Sequence, residues 1–232
     1  MDQELAVVGV AVPRLGLAAK VRGEARYTAD LKRPGMLYGR VLRSPHAHAR
    51  IVHLETSEAE HVPGVHAVLT YRDVPQVRLD ADLLPLEPVL RFVGDEVALV
   101  AADSEAIAED ALRLIRVEYE VLPAVFEAEE ALRPGAPLVH PQGNLVGGKP
   151  LALERGSVAQ GFAEAARLFE DTFHTQMHAP VGMETRAALA EWDGDWLTVW
   201  KTSRAVHASD RQTLARVLSL PLEQVRVICP NM

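Results

Sequence analysis

The chain has 232 residues, about one and a half times the roughly 150-residue prior for a domain, so one large domain or two modest ones are expected. Hydrophobic residues make up 48% and charged residues 24%, the balance of an ordinary globular chain, which excludes disorder, collagen and low complexity. The 24 Lys and Arg against 32 Asp and Glu give a net charge of −8 with no basic block, so nucleic acid and anionic membrane surfaces are excluded as expected partners.

A single cysteine, Cys229, cannot form an intrachain disulfide or build a Cys-rich zinc or iron-sulfur site alone, and a reducing cytoplasm fits it best. The start Met1-Asp2-Gln3-Glu4 lacks the basic and apolar regions of a signal peptide. No apolar run approaches the roughly 18 residues of a membrane span, so a cytoplasmic protein without a membrane span is expected.

In chain order, residues 36–43 (MLYGRVLR) and 49–55 (ARIVHLE) alternate as strands, with Ser44-Pro45 between them because proline removes a ladder donor. A short helix over 57–61 ends at Pro63-Gly64 and is followed by a strand over 65–70. Residues 72–90 carry Pro75, Pro85 and Pro88 and read as a long surface loop. The apolar run EVALVAA at 96–102 reads as a strand covered on both faces. A helix over 104–115 follows it, capped by Asp103 or Ser104, with Ile107, Ala111 and Ile115 on one stripe. Residues 116–121 (RVEYEV) close a strand-helix-strand unit.

Proline and glycine concentrate in 134–150, the expected linker between a domain over 1–133 and a second over 151–232. Beyond it the pattern predicts a helix over 157–165, a long strand over 167–178, a hairpin of 187–193 and 196–200 turned by Asp193-Gly194, a helix over 206–218 and a strand over 225–228. Strands and helices mixed in this order make an α+β chain.

Several polar groups are candidates for chemistry. His46 and His48, with His53 beyond, could share a metal on one strand face, but no nearby Cys, Asp or Glu completes the set, which favours structural or surface roles. His174 and His178 share a face of the expected strand and read as core or interface packing. Glu184, in a Pro- and Gly-punctuated turn, is either held by backbone donors or structurally satisfied. In Trp200-Lys-Thr-Ser-Arg204, polar side chains meet the start of a helix, which can hold an anion or simply cap the helix. No GxGxxG, GxxxxGK[ST] or GxSxG pattern occurs.

Taken together and in order, the stretches KVRGEARYTAD (20–30), PGML (34–37), RSPHAHARI (43–51), FVGDEV (92–97), VEYEVLP (117–123), Met183-Glu184 and VRVI (225–228) resemble the molybdenum-binding large subunit of the xanthine dehydrogenase/aldehyde oxidase family. The resemblance implies an α/β-hammerhead-like domain, then the truncated start of a molybdopterin-binding α+β domain. It also implies oxidation of an aldehyde or N-heterocycle with water as the oxygen source, on a molybdopterin cofactor. Electrons would leave through [2Fe-2S] clusters and FAD on partner subunits. The implied partners are the remaining part of the molybdenum subunit, an iron-sulfur subunit and a FAD subunit. Cofactor contacts are implied for Glu184, Ser203 and Arg204, and no catalytic residue or metal ligand is expected within the chain. Two departures stand out: Arg204 occupies a position where many relatives have glutamine, and the residues stop at Met232, before the Gly-Gly-Gly-Phe-Gly loop that approaches the cofactor. The isolated chain is therefore expected to be inactive and free of molybdenum. A non-catalytic assembly module is the rival reading.

Overall fold

A computed structural model describes residues 8–9, 11–14, 16–79, 83–153 and 155–231. Two compact units emerge, Pro34–Pro180 and the described residues up to Arg33 together with those from Val181. The division falls outside the 134–150 segment, because that segment is tied to the first unit. Arg91 Nε donates to the Val139 carbonyl at 3.2 Å, and Asn144 Nδ2 donates to the carbonyls of Ala131 and Pro137 at 2.8 and 2.9 Å.

The Pro34–Pro180 unit holds two three-stranded antiparallel sheets. Strands β1 (Tyr38–Arg43), β2 (Ala49–Glu55), β3 (Val65–Thr70), β4 (Val89–Leu90), β5 (Glu96–Ala102) and β6 (Arg116–Val121) are ordered β1-β5-β3 in one sheet and β4-β2-β6 in the other. The near-continuous apolar run of β5 reflects its place: it lies between two neighbours, with Val97, Ala98, Val100 and Ala102 all buried. Strands β5 and β6 fall in different sheets, so the helix Glu105–Leu114 leads from one sheet to the other rather than closing a unit within one. Ser104 caps this helix, its hydroxyl accepting the Ile107 N–H at 3.2 Å. Ala108 and Ala111 are buried against the core while Glu105 and Glu109 bond Arg40 from the solvent face.

The stretch expected as a surface loop over 72–90 lies partly outside the described residues. Its described end is anchored: Leu86 is buried, Val89–Leu90 pairs with β2, and Arg91 and Glu87 form an ion pair at 2.7 Å with both side chains 15% exposed. The helix expected over 157–165 forms as Val158–Glu164 with Ser157 at its N-cap.

The strand expected over 167–178 does not form. Residues 165–187 have no regular structure, and Phe169, Phe173 and Met177 stand 87–97% exposed. A strand needs a ladder partner for its backbone groups, and no described residues supply one here, so the side-chain pattern alone cannot hold the conformation.

The second unit contains one sheet of β7 (Ala188–Asp193), β8 (Trp196–Lys201) and β9 (Val225–Ile228), antiparallel between β7 and β8 and parallel between β8 and β9. The hairpin turns at Gly194-Asp195, one residue later than expected, because Asp193 still pairs with Trp196 and the positive φ of 57° falls on Gly194. Leu197, Val199, Val225 and Val227 turn one face inward, where Ala215 and Leu214 of the helix Arg211–Val217 join the core. The expected helix over 206–218 is interrupted. Val206–Asp210 winds as a π-turn in which the N–H groups of Ser209 and Asp210 both donate to the Ala205 carbonyl, and α-helical geometry starts only at Arg211.

Candidate functional site

The residues singled out in the second unit converge at the end of β8. Alternation along β8 buries Leu197 and Val199 and leaves the polar run Lys201 to Arg204 to leave the sheet beside β7. The Thr202 N–H donates to the Ala187 carbonyl at 3.1 Å, so the chain stays paired one residue past the strand. The Thr202 hydroxyl donates to Glu184 Oε1 at 3.0 Å, which brings Glu184 to the same place across 18 residues of sequence. One oxygen of the carboxylate is thus held by a side-chain hydroxyl.

Ser203 is engaged as well. Its hydroxyl accepts the Ala205 N–H at 3.0 Å, a local turn bond of the capping kind. Asp210 lies behind it, with Lys201 Nζ 2.9 Å from Asp210 Oδ1 and the Asp210 side chain only 16% exposed. Burial pushes the Asp210 carboxyl up, but the Ser203 hydroxyl and the Lys201 ammonium together outweigh it and hold the group below the usual carboxylate range.

Arg204 differs from all of these: it is exposed and makes no hydrogen bond or ion pair with any described residue. The structure therefore brings Glu184, through Thr202, to the turn that carries Ser203 and Arg204, and leaves the Arg204 guanidinium without a partner among the described residues. Lys201 and Asp210, which tie the turn to the helix, were missed from sequence. Their spacing of nine residues crosses a strand end and a π-turn, for which no periodic signal exists. Arg211, also missed, donates through Nε to the Val225 carbonyl at 2.7 Å and through Nη2 to the Leu222 carbonyl at 2.8 Å, fixing the entry to β9.

The histidines fall to structural or solvent roles. His48 is buried with Nδ1 2.7 Å from the Pro123 carbonyl, His46 packs edge-on against Tyr119, and His53 is exposed. His174 and His178 stand in the exposed irregular segment, so the packing role expected for them is not seen among the described residues. No three His, Cys, Asp or Glu side chains among the described residues come together to hold a metal, and no described helix is long and apolar enough to cross a membrane.

Comparison with known proteins gives the arrangement its context. Residues 22–123 match the family model described as the aldehyde oxidase and xanthine dehydrogenase a/b hammerhead domain, and residues 139–232 match that of a molybdopterin cofactor-binding domain. The two matches follow one another along almost the whole chain. The chain belongs to the aldehyde oxidase and xanthine dehydrogenase family. Among its relatives, a probable xanthine dehydrogenase subunit from Bacillus subtilis is 41% identical, over 92% of this chain and 29% of that protein. The nicotinate dehydrogenase large molybdopterin subunit of Eubacterium barkeri is 35% identical, over 98% of this chain and 54% of that protein. The crystal structure of quinoline 2-oxidoreductase from Pseudomonas putida 86 superposes with a TM-score of 0.79 at 35% identity, covering 94% of this chain and 30% of that one. The chain thus spans between about a third and a half of the length of these relatives, and the hammerhead fold expected for its first part is the fold of the family.

The donor set can be weighed against a molybdopterin group, which is anionic. Arg204 suits one anionic oxygen, Ser203 is already bonded within the turn, and Glu184 carries a like charge directed at Thr202. These residues fit the margin of such a group and do not enclose it.

Proposed function

We propose that the chain forms the N-terminal part of the molybdenum-cofactor subunit of a molybdenum hydroxylase that oxidises an aldehyde or N-heterocycle, with water as the oxygen source. The observation that carries the reading is the tandem order of a hammerhead and a molybdopterin-binding match over 22–123 and 139–232. When bound, the cofactor supplies the two-electron oxidation. This chain's own contribution is Arg204, whose guanidinium holds an anionic oxygen of substrate or cofactor, with Ser203 and Glu184 shaping the turn beneath it. The remaining molybdenum-subunit sequence, an iron-sulfur subunit carrying [2Fe-2S] clusters and a FAD subunit complete the assembly in the cytoplasm. Purification with the products of neighbouring genes, followed by molybdenum and pterin analysis, tests this: both should co-purify in fixed ratio, and an assembly free of either would overturn it.

Within that assembly, Arg204→Ala should lower turnover on the order of ten- to a hundredfold, the equivalent of a charge-assisted contact of roughly 1.5–3 kcal/mol, without unfolding the protein. Arg204→Gln should recover part of the loss or alter substrate preference. Unchanged steady-state kinetics in both variants would remove Arg204 from the site.

The second reading, a non-catalytic assembly module, draws on a different observation. The segment 165–187 exposes Phe169, Phe173 and Met177 without regular structure, as a surface made to pack against a partner would. An assembly that fails to form without this chain, yet keeps full turnover in Arg204→Ala, would favour it.

A further inference from the structure

The four residues from Thr202 to Ala205 join β8 to the π-turn, and several of their polar groups are bonded. Thr202 is bonded through its N–H to Ala187 and through its hydroxyl to Glu184. Ser203 accepts from the Ala205 N–H, and the Ala205 carbonyl accepts from Ser209 and Asp210 at 3.1 and 3.2 Å. Lys201, the last residue of β8, and Asp210, the last of the π-turn, close the loop from its two ends at 2.9 Å. Within this loop the Arg204 side chain alone is left without a partner among the described residues. A turn bonded at both ends around one unpartnered guanidinium has the form of a mount for that group, since a long side chain binds more tightly when less of its backbone is left to order.

We propose that the Lys201–Asp210 pair is a positioning device for Arg204, fixing the turn so that the guanidinium meets an oxyanion, carboxylate or phosphate, from one direction. The inference rests on the reading that Arg204 contacts ligand, and it adds the residues that make that contact specific. An exposed ion pair would contribute little, but the Asp210 side chain is largely buried, so the pair bears a desolvation penalty. Such a pair earns its place by specifying a geometry. Its span across the turn is the geometry it specifies, and neither residue reaches the ligand itself.

Binding to the full chain, followed by the 15N resonance of Arg204 Nε and by calorimetry, provides the test. Sodium benzoate and inorganic phosphate serve as the two oxyanion probes and benzamide as the uncharged control. Benzoate or phosphate should shift the Arg204 resonance while benzamide does not, and the stronger of the two identifies the oxyanion. Arg204→Ala should abolish binding. Lys201→Met and Asp210→Asn should each weaken it on the order of threefold to tenfold, with the melting temperature little changed, because a small misplacement of a bidentate donor is costly. The charge-swapped double variant, Lys201→Asp with Asp210→Lys, should recover much of the loss. Should Asp210→Asn fail to fold, Lys201→Met on its partly exposed side chain decides. If Arg204→Ala abolishes binding while Lys201→Met and Asp210→Asn bind as tightly as the unaltered chain, the positioning role is wrong and the Arg204 contact stands. If no probe binds, or Arg204→Ala binds as before, both are wrong.

Discussion

Asp73 accepts hydrogen bonds from the Thr70 hydroxyl at 2.7 Å and the Thr70 N–H at 2.8 Å, closing the turn at the end of β3. These two bonds, the hydroxyl first, hold its carboxyl below the ordinary value of 3.8. A carboxyl depressed on folding adds stability that is complete above its unfolded value and lost as pH falls through its folded one. The turn's contribution should therefore fade below about pH 3.8. Thr70→Val removes the hydroxyl and should move the Asp73 titration back toward 3.8, read by carboxyl 13C NMR. An unmoved midpoint would show that the backbone bond alone sets it. The same scale separates what single residues revealed in sequence from what they concealed. The isolated histidines 46 and 48 were legible as structural because no carboxylate or thiol accompanied them. The Lys201–Asp210 pair was not, because its meeting depends on a π-turn that no local pattern announces.

Gly64 shows the same dependence on context at the level of elements. It lies in the turn into β3 with φ of 88°, and a Cβ added there would stand 3.0 Å from Ile107 Cδ1 and 3.1 Å from Asp103 Oδ2. Its carbonyl accepts the Asp103 N–H at 2.9 Å, so the turn is bonded to the residue before the Ser104 cap. Gly64→Ala should combine left-handed strain with crowding against the helix Glu105–Leu114, at a cost of about 1–3 kcal/mol in urea denaturation. A loss of under about 0.5 kcal/mol would mean that the Ile107 side chain yields freely. Elements that stand within a sheet were readable: β2, β3, β5, β6 and β9 begin and end where period-two alternation or an apolar run does. The pattern over 167–178 puts Phe169, Phe173 and Met177 on one face of an expected strand and formed none, since a pattern states which face would be buried and not whether a neighbouring strand is present.

At the scale of the whole molecule, proline and glycine content pointed to 134–150 as the linker and thus the expected site of limited proteolysis, and hydrogen bonding points elsewhere for the cut. Within 134–150, Val139 and Asn144 are bonded to each other, to Arg91, and to the carbonyls of Ala131 and Pro137, and these contacts raise the cost of local opening. Residues 165–180 are exposed, without regular structure, and rich in side chains that proteases recognise. Cleavage follows backbone that can enter a protease cleft without breaking structure, more than it follows composition. Limited chymotrypsin digestion should therefore cut first at Phe169 or Phe173, and trypsin at Arg167, before any cut between 134 and 150. Mass spectrometry of the earliest fragments decides the order. The Arg91 bond supplies an internal control: Arg91→Met would release Val139 and leave Glu87 without its ion-pair partner, so cuts within 134–150 should then appear at earlier times while those at 167–173 keep their rate. A first cut inside 134–150 in the unaltered chain would restore that stretch as the linker and show that the hydrogen bonds of Asn144 open faster than the exposed segment can be engaged.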